Sequence, residues 1–477
     1  MKKFEDLVGV LDYVSYEKNN SYPINYISNN SKEIEDRDVF VAVRGNLADG
    51  HDYIDPAIAK GARVIIHEED IAYRQGISYI RVKDARLALS QASSFLSGYP
   101  SKDLRLVAVT GSNGKTTTSR LIAHLCGEIF GKSGSIGTNK AFVGGEEIET
   151  SNTTPDIYKI NKILQKAKDE GIETMALEAS SHGLSQRRLD GLDIDYGIFT
   201  NLSEEHLDYH KNMENYFRAK MILFDKARVT LANIDDPYGK RAKDLYPSTI
   251  SFGIDNPDAD FRASDLIKKD GKISFKVKGR EIILNTIADF EVYNTLAAIA
   301  CLATMGASMD EIIRGLSTFK GLKSRFEYIK NDLGLNIIID FAHTPRAFEA
   351  IFASIPKKAS TYAVFGINGD RNKDFRRLIG EVTAKAKVFA ILTTDDPKFD
   401  QVSRINADII EGIKAYGGDF VIREDRKEAM AYALGKAKKG DYVLLLGKGE
   451  EQFIKLKGNE KTPYSERETL LGVLESL

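Results

Sequence analysis

The chain has 477 residues, 42% apolar and 29% charged, and its 67 Lys+Arg against 69 Asp+Glu leave a net charge of -2. That length predicts about two to four domains with ample core material. The near-neutral, mixed balance excludes a protein that works chiefly by coating nucleic acid or anionic membrane, while leaving room for local basic pockets. Cys126 and Cys301 lie far apart without a CxxC pair, which excludes a disulfide framework or a zinc ribbon.

In chain order, Glu5, Asp6 and Asp12 interrupt any apolar stretch a signal peptide would need. No run approaches the roughly 18 uncharged apolar residues of a membrane helix, so a soluble cytoplasmic protein is expected. Residues 1–103 alternate β-rich runs, Val39–Val43 and Ala62–Ile66, with helical stretches, and Ser97-Gly98-Tyr99-Pro100-Ser101 reads as a linker. A second unit, 104–328, carries strand-like runs at Leu106–Val109, Glu173–Glu178 and Tyr196–Thr200. A third, 329–477, carries Asn336–Asp340, Thr361–Phe365, Val388–Thr393 and Tyr442–Leu446. Each run is followed by polar loop residues and a helical pattern. The expected fold class is therefore α/β in three domains, with a central mononucleotide-binding parallel sheet and a Rossmann-like C-terminal domain.

The sharpest local signal is Thr110-Gly111-Ser112-Asn113-Gly114-Lys115-Thr116-Thr117-Thr118, which follows a strand-like run and precedes a helical one at Ser119–Phe130. Gly111 and Gly114 let backbone N–H groups close around phosphate oxygens, at the positive end of a helix dipole. Lys115 has the reach for β- and γ-phosphates, and the Thr116 hydroxyl can ligate Mg²⁺. Val109 stands where the longer phosphate-loop pattern has its first glycine, so only G-x-x-G-K-T-T is present. The bland reading is a glycine-bearing strand–helix turn with a surface lysine; the strand–loop–helix context favours an ATP or GTP site.

Glu178 ends a strand-like run and opens Glu178-Ala179-Ser180-Ser181-His182-Gly183. An acid at the carboxyl end of such a strand lies on the ligand side of the sheet and can hold Mg²⁺, although helix capping is the commoner role. The next run leads into Ser203-Glu204-Glu205-His206-Leu207-Asp208-Tyr209-His210, whose acids and histidines can ligate metal or orient a nucleotide. Lys220, taken alone, reads as a helix lysine that snorkels to solvent.

Together these runs resemble the Mur ligase family. Further matches are Phe290–Asn294, Ser324-Arg325-Phe326-Glu327 and Asp340-Phe341-Ala342-His343-Thr344-Pro345, in the family's order along nearly the whole chain. Within the family the pattern is most similar to the E-type ligases, which add the third residue of the peptidoglycan stem peptide. The pointers are Ser31, Asp49-Gly50-His51, Asn152–Pro155, Gly369-Asp370-Arg371, Asp395-Asp396-Pro397-Lys398 and Gly447-Lys448-Gly449. The resemblance implies a monomeric amide-forming ligase that uses ATP and Mg²⁺, binding neither nucleic acid nor membrane. ATP phosphorylates the D-glutamate side chain of UDP-N-acetylmuramoyl-L-alanyl-D-glutamate, and the amine of a diamino acid attacks the acyl phosphate. By matching position, Gly111, Ser112, Asn113, Gly114, Lys115, Thr116 and Thr117 cradle ATP. Thr116, Glu178, His206 and Lys220 (as a carbamate) hold Mg²⁺. Asn294, Arg325 and Asp340 contact the nucleotide. Ser31, Asn46, Leu47, Ala48, Asn152, Thr153, Thr154, Ser180, Gln186 and Arg188 bind the UDP-sugar peptide.

For the amino acid, the resemblance points to Arg371, Asp395, Asp396, Pro397, Lys398, Gly447 and Glu451. Members that use meso-diaminopimelate carry D-N-P-R, whose arginine forks onto the distal carboxylate, whereas this chain has Asp395-Asp396-Pro397-Lys398. Lysine keeps the charge and loses the planar grip. L-lysine enzymes have a neutral residue there, which Lys398 also contradicts. Arg371 and Glu451 match the diaminopimelate pocket, although G-K-G-H-E is here Gly447-Lys448-Gly449-Glu450-Glu451. Charge complementarity favours a zwitterionic distal end, meaning diaminopimelate or a close analogue, over L-lysine. Two other readings compete. A folylpolyglutamate synthetase is disfavoured by the roughly 100 residues before the phosphate loop. An ATP-hydrolysing regulator predicts turnover independent of both co-substrates.

Overall fold

The structure, a computed structural model, describes residues 2–45 and 48–477. Asn46 and Leu47, expected in the UDP-sugar site, lie outside the described residues. The chain forms two compact units, residues 1–263 with 293–318 and residues 264–292 with 319–477.

Among the described residues, the first unit begins with a sheet of β1 (Tyr13–Glu17), β2 (Ile27–Ser28), β3 (Val39–Val41), β4 (Val64–His67) and β5 (Ser78–Val82) in the order β1-β5-β4-β3-β2. All pairs are parallel except the fully exposed edge strand β1. Val39–Val41 and Val64–Ile66 are buried on both faces, which is why they read as unbroken apolar runs rather than alternating ones. The predicted linker is a packed joint. Tyr99 takes a left-handed conformation, Pro100–Asp103 forms a 3-10 turn, and the buried Ser101 hydroxyl accepts the Asp193 N–H at 3.1 Å.

A second sheet of this unit adds β6 (Arg105–Thr110), β7 (Ser133–Ile136), β8 (Lys140–Val143), β9 (Glu146–Glu149), β10 (Thr174–Glu178), β11 (Ile194–Phe199), β12 (Ala227–Asn233), β13 (Ile250–Gly253) and β14 (Phe261–Arg262). Its order is β14-β13-β12-β11-β6-β10-β7-β8-β9, parallel except for the β7–β8–β9 edge. β6 pairs with β11 on one side and β10 on the other, so the chain winds away from it in both directions. The crevice beyond the carboxyl end of such a strand is where ligands bind in open α/β sheets.

In the second unit, β15 (Ser264–Lys269), β16 (Lys272–Val277) and β17 (Arg280–Leu284) form an antiparallel meander that the sequence reading missed. Its inward residues Ile273, Phe275, Val277 and Ile282 are buried, but alternate with so many lysines that no apolar run stands out. The main sheet comprises β18 (Glu327–Ile329), β19 (Asn336–Asp340), β20 (Thr361–Phe365), β21 (Phe389–Leu392), β22 (Phe420–Ile422) and β23 (Tyr442–Leu446), in the order β18-β19-β23-β20-β21-β22. Alternate residues of these strands serve two cores. Ile338, Phe365, Leu392 and Leu444 pack with Phe348, Ile379, Ile405 and Ile409 from the helices Pro345–Ser354, Lys373–Lys385 and Val402–Ala415. Ile337, Val364, Ile391 and Leu445 pack on the other face with Met430, Leu434 and Leu470 from Arg426–Lys436 and Glu466–Leu474. The result is a doubly wound layer structure.

The helices Lys373–Lys385 and Val402–Ala415 touch backbone to backbone. A Cβ at Gly380 would lie 2.0 Å from the Ile409 carbonyl oxygen, and one at Gly412 would lie 2.0 Å from that of Arg377. Gly412→Ala is therefore expected to lower unfolding stability by about 1–3 kcal/mol, through forced separation of the helices. Urea denaturation measures this, and an unchanged midpoint and slope would refute the close contact.

Candidate functional site

In the first unit, β6 runs directly into the glycine-bearing loop, and the helix Lys115–Ile129 starts beyond it. Gly111 has φ +150°, and a Cβ there would fall 1.9 Å from Thr200 Oγ1, so no other residue fits without moving β11's exit. The loop is fixed from outside. Ser112 N–H donates to Asn201 O at 2.9 Å, Asn113 N–H donates to Asn201 Oδ1 at 3.0 Å, and Thr200 Oγ1 donates to Asn113 O at 2.7 Å. Lys115 Nζ donates to the Gly111 and Ser112 carbonyls, each at 2.9 Å. Thr116 and Thr117 occupy the helix's first turn, where backbone N–H groups remain for an anion. Asn294, on the helix Asp289–Thr304, stands against this loop, for its Oδ1 accepts the Thr118 hydroxyl at 3.3 Å and lies 2.5 Å from where a Gly114 Cβ would be.

Lys220 does not snorkel. It is 1% exposed on the helix Met213–Lys226, and its Nζ donates to Gly111 O at 2.9 Å, the carbonyl Lys115 also uses. Burial pushes its pKa well below the ordinary lysine value, the nearby Lys115 charge pushes the same way, and Glu205 opposes. Lys220 Nζ also sits 4.6 Å from the centre of the Tyr216 ring, and the His206 ring centre lies 6.2 Å from that of Tyr216. His206 has φ +56° and opens the short helix Leu207–His210; its ring meets His182 at 4.8 Å. His210 bonds Ser181 Oγ at 2.9 Å, and burial lowers its pKa to about 4.

Glu178 ends β10, level with Val109 of β6, and is 2% exposed. Its carboxylate accepts the Thr138 N–H at 3.0 Å and the Thr138 hydroxyl at 3.2 Å. Thr138 also bonds the Thr153 hydroxyl at 3.1 Å. Thr154 Oγ1 donates to the Glu178 carbonyl at 2.7 Å and accepts the Ser180 N–H at 2.9 Å. Arg188 donates to Thr154 O at 2.7 Å and Gln186 Oε1 at 2.9 Å and pairs with Asp156 at 3.2 Å. Thr153, Thr154, Ser180, Gln186 and Arg188, predicted from scattered motifs, thus form one network around the β10 end. Asn152 is exposed beside it. Ser31 opens a 3-10 turn after β2, and Ala48 is exposed just before Asp49, whose carboxylate accepts the His51 N–H at 3.0 Å and pairs with its ring at 2.6 Å.

In the second unit, a 110 Å³ cavity opens where β19, β20, β21 and β23 end. Arg371, Asp395, Asp396, Gly447 and Glu451 line it as predicted, joined by Phe341, His343 and Asn368, which the sequence reading did not assign. Pro397 and Lys398 do not. Lys398 instead pairs with Asp370, and its N–H donates to Lys455 O at 3.1 Å. Lys448 was quoted only as part of a motif, yet it organises the cavity. Its side chain is fully buried, and Nζ reaches Glu451 at 2.6 Å, Asp396 at 2.8 Å and Asp395 at 3.4 Å. Burial works against that ammonium, but Asp395 and Glu451 outweigh it and hold its pKa above the ordinary range. Asp395 is raised by burial, against the pull of Lys448. Asp340 spends its oxygens inside the protein, accepting the Phe326 N–H at 2.7 Å and the Ala342 N–H at 2.6 Å, while Arg325 stacks 4.8 Å from the Phe341 ring.

A glycine-bearing loop between a central parallel strand and a helix, with a lysine and threonines at its exit, is the apparatus of an enzyme that uses a nucleoside triphosphate. The family models match in succession: the Mur ligase family catalytic domain at 23–97, the Mur ligase middle domain at 109–302 and the Mur ligase glutamate ligase domain at 324–449. The UDP-N-acetylmuramoyl-L-alanyl-D-glutamate–2,6-diaminopimelate ligase of Clostridium perfringens is 34% identical, over 99% of this chain and 99% of its own. The enzyme of the same name from Fusobacterium nucleatum is 36% identical over 93% and 92%. A solved structure of a UDP-N-acetylmuramoyl-L-alanyl-D-glutamate–2,6-diaminopimelate ligase superposes with TM-score 0.66 at 26% identity, covering 95% of both chains. The Thermotoga maritima MurF ligase in complex with ADP shares the fold, with TM-score 0.62 at 22% identity over 94% and 97%. The chain belongs to the Mur ligase family. It is an ATP-dependent, amide-forming ligase of peptidoglycan precursor synthesis.

Proposed function

We propose that the chain joins meso-diaminopimelate, or a close analogue, to the D-glutamate side chain of UDP-N-acetylmuramoyl-L-alanyl-D-glutamate. The observation that carries this reading is the composition of the second unit's cavity. It holds a guanidinium, Arg371, together with the carboxylates Asp395, Asp396 and Glu451. An amino-acid end bearing both ammonium and carboxylate finds complementary charge there; the plain ammonium end of L-lysine leaves Arg371 without a counterpart on the substrate. The full-length likeness to enzymes named for diaminopimelate supports the same choice.

In this reading the loop Gly111–Thr117 and Asn294 hold ATP, and Lys115 neutralises charge on the transferring phosphoryl group. That group passes to a carboxylate oxygen of the D-glutamate side chain and ADP departs. The amino acid's neutral amine then attacks the acyl carbon, loses a proton, and phosphate leaves with the former carboxylate oxygen. The Thr153–Arg188 network, with Ser31, Asn46, Leu47, Ala48 and Asn152, positions the UDP-sugar peptide. Arg325 and Asp340 serve the nucleotide. The donor set of Thr116 hydroxyl, Glu178 carboxylate, His206 and Lys220 suits Mg²⁺ provided Lys220 offers oxygen rather than an ammonium. Burial lowers that amine's pKa and so favours the neutral form, which adds to carbon dioxide and releases a proton to give a carbamate. Bound Mg²⁺ would neutralise developing phosphate charge. We also read three domains, 1–103, 104–328 and 329–477, one for each substrate, in keeping with the three separately matched segments. A cytoplasmic monomer is proposed; among the described residues no helix is long and apolar enough to cross a membrane.

The test supplies ATP, Mg²⁺ and the UDP-dipeptide with meso-diaminopimelate, L-lysine or lanthionine in turn. Expected is a kcat/KM for diaminopimelate at least about 10²-fold above that for L-lysine, since only the former brings a distal carboxylate to the Arg371 guanidinium. A preference for L-lysine would defeat the reading of Arg371 and the carboxylates. Phosphate release without either co-substrate would point to the regulator instead.

A further inference from the structure

The cavity of the second unit is walled by two loops, Thr394–Asp396 after β21 and Gly447–Glu451 after β23, the strands on either side of β20. Beneath both lies Arg426, the first residue of the helix Arg426–Lys436, only 3% exposed. Its Nη1 donates to the Thr394 carbonyl at 3.2 Å and its Nη2 to the Leu446 carbonyl at 3.1 Å. These carbonyls immediately precede Asp395 and Gly447, which line the cavity. The remaining edge of the guanidinium is taken by Glu466, 1% exposed at the start of the last helix, which accepts from Nε at 2.9 Å and also from Nη2. Tyr464 donates its hydroxyl to the same carboxylate.

We propose that Arg426, fixed by Glu466 and Tyr464, is a positioning residue for the amino-acid pocket. It sets the separation of the Asp395 and Gly447 loops and through them the placement of Asp395, Asp396 and Glu451. The inference rests on reading this cavity as the amino-acid site. A planar guanidinium suits the task because it bonds two carbonyls and one carboxylate in a single fixed plane, which an ammonium cannot do. The loops already approach closely: a Cβ at Gly447 would sit 2.9 Å from Asp395 Oδ2, so a small change of spacing reaches the side chains. Misplacing a substrate-binding group by about 1 Å costs on the order of 10²-fold.

Arg426→Lys retains the charge and loses the fork. Its KM for the amino acid is expected to rise about 10- to 100-fold while KM for ATP and for the UDP-dipeptide stays at the wild-type value. Tyr464→Phe, a milder change, should raise the same KM a few-fold. Leu470→Ala, in the apolar core between the last helix and the sheet, serves as the comparator. It should lower the melting temperature and leave all three KM values alone. A merely structural Arg426 would behave like Leu470, with a lower melting temperature and unchanged KM values, and that outcome overturns the proposal. So does an equal rise in all three. Should Arg426→Lys fail to fold, Tyr464→Phe decides by the same selective rise or its absence. If wild type proves to prefer L-lysine, the substrate reading fails, but positioning is still tested by KM for L-lysine; if no amino acid supports turnover, the site reading itself falls.

Discussion

Lys115→Ala is expected to reduce kcat/KM by about 10³-fold or more while leaving the fold intact. The lysine is half-buried, and its ammonium donates to the Gly111 and Ser112 carbonyls of its own loop. Those carbonyls retain other support, since Lys220 also donates to Gly111 O and the loop is tied to Thr200 and Asn201. What is lost is a cation that can swing from the loop onto phosphate oxygens as charge builds on the transferring group. Lys115→Met, which keeps the stem's bulk, should be as inactive as the alanine variant and melt within a few degrees of wild type. Product formation followed by ADP release measures the effect. Turnover within tenfold of wild type in either variant would remove the phosphate-loop assignment.

The second large effect is expected at Lys220. Lys220→Ala should lower kcat by roughly 10²- to 10³-fold, and acetate or formate at high concentration should restore part of it. The physical case begins with burial. A lysine with 1% exposure, its nitrogen hydrogen-bonded to a carbonyl that a second lysine also uses, is disfavoured as an ammonium. Its pKa is pushed far down by that burial. A neutral amine is a nucleophile, and in the proposed function its carbamate would convert a donor into an oxygen ligand for Mg²⁺. The alanine variant removes the amine but leaves space that a small carboxylate can occupy. Wild-type activity without added acetate would end the carbamate role. So would a ¹³C-bicarbonate spectrum with the same carbamate signal in wild type and Lys220→Ala.

Much of the first unit's site was readable in the sequence because its chemistry demands unusual residues at fixed spacing. Gly111, Gly114, Lys115 and Thr116 have to stand at fixed spacing within one short loop, so the motif is local. Glu178 was legible for a related reason, since a strand end in this sheet is by its topology a ligand position. The parallel strands at Asn336–Asp340, Thr361–Phe365 and Tyr442–Leu446 were legible from unbroken apolar runs. What was not legible depended on distant partners. Lys448 looks like any loop lysine until three carboxylates, two of them some fifty residues earlier in the chain, close around it. Lys398 was noticed as a departure, but its partner Asp370 comes from another loop, which no local spacing announces. Lys220 read as a surface residue because helical spacing says nothing of what covers the helix. Arg426 gave no signal at all, for its role is defined by two backbone carbonyls that no residue type announces.

The glycine contact between the helices Lys373–Lys385 and Val402–Ala415 has a bearing on how this enzyme can diversify. Each of these helices is preceded by a cavity loop, Asn368–Arg371 in one case and Asp395–Lys398 in the other. The loops repeat the helices' intimacy: Gly369 N–H donates to Asp396 O at 2.8 Å, and a Cβ on Gly369 would lie 2.0 Å from Pro397 O. Main chain rests on main chain at both levels, so no side chain can be enlarged or trimmed to widen the gap between the two walls. The pocket behaves as a mould of fixed aperture. If this cavity is the amino-acid site proposed above, a change of substrate is then expected to come from exchanging charge and reach at positions such as Arg371, Asp396 and Glu451, with the frame passed on unaltered.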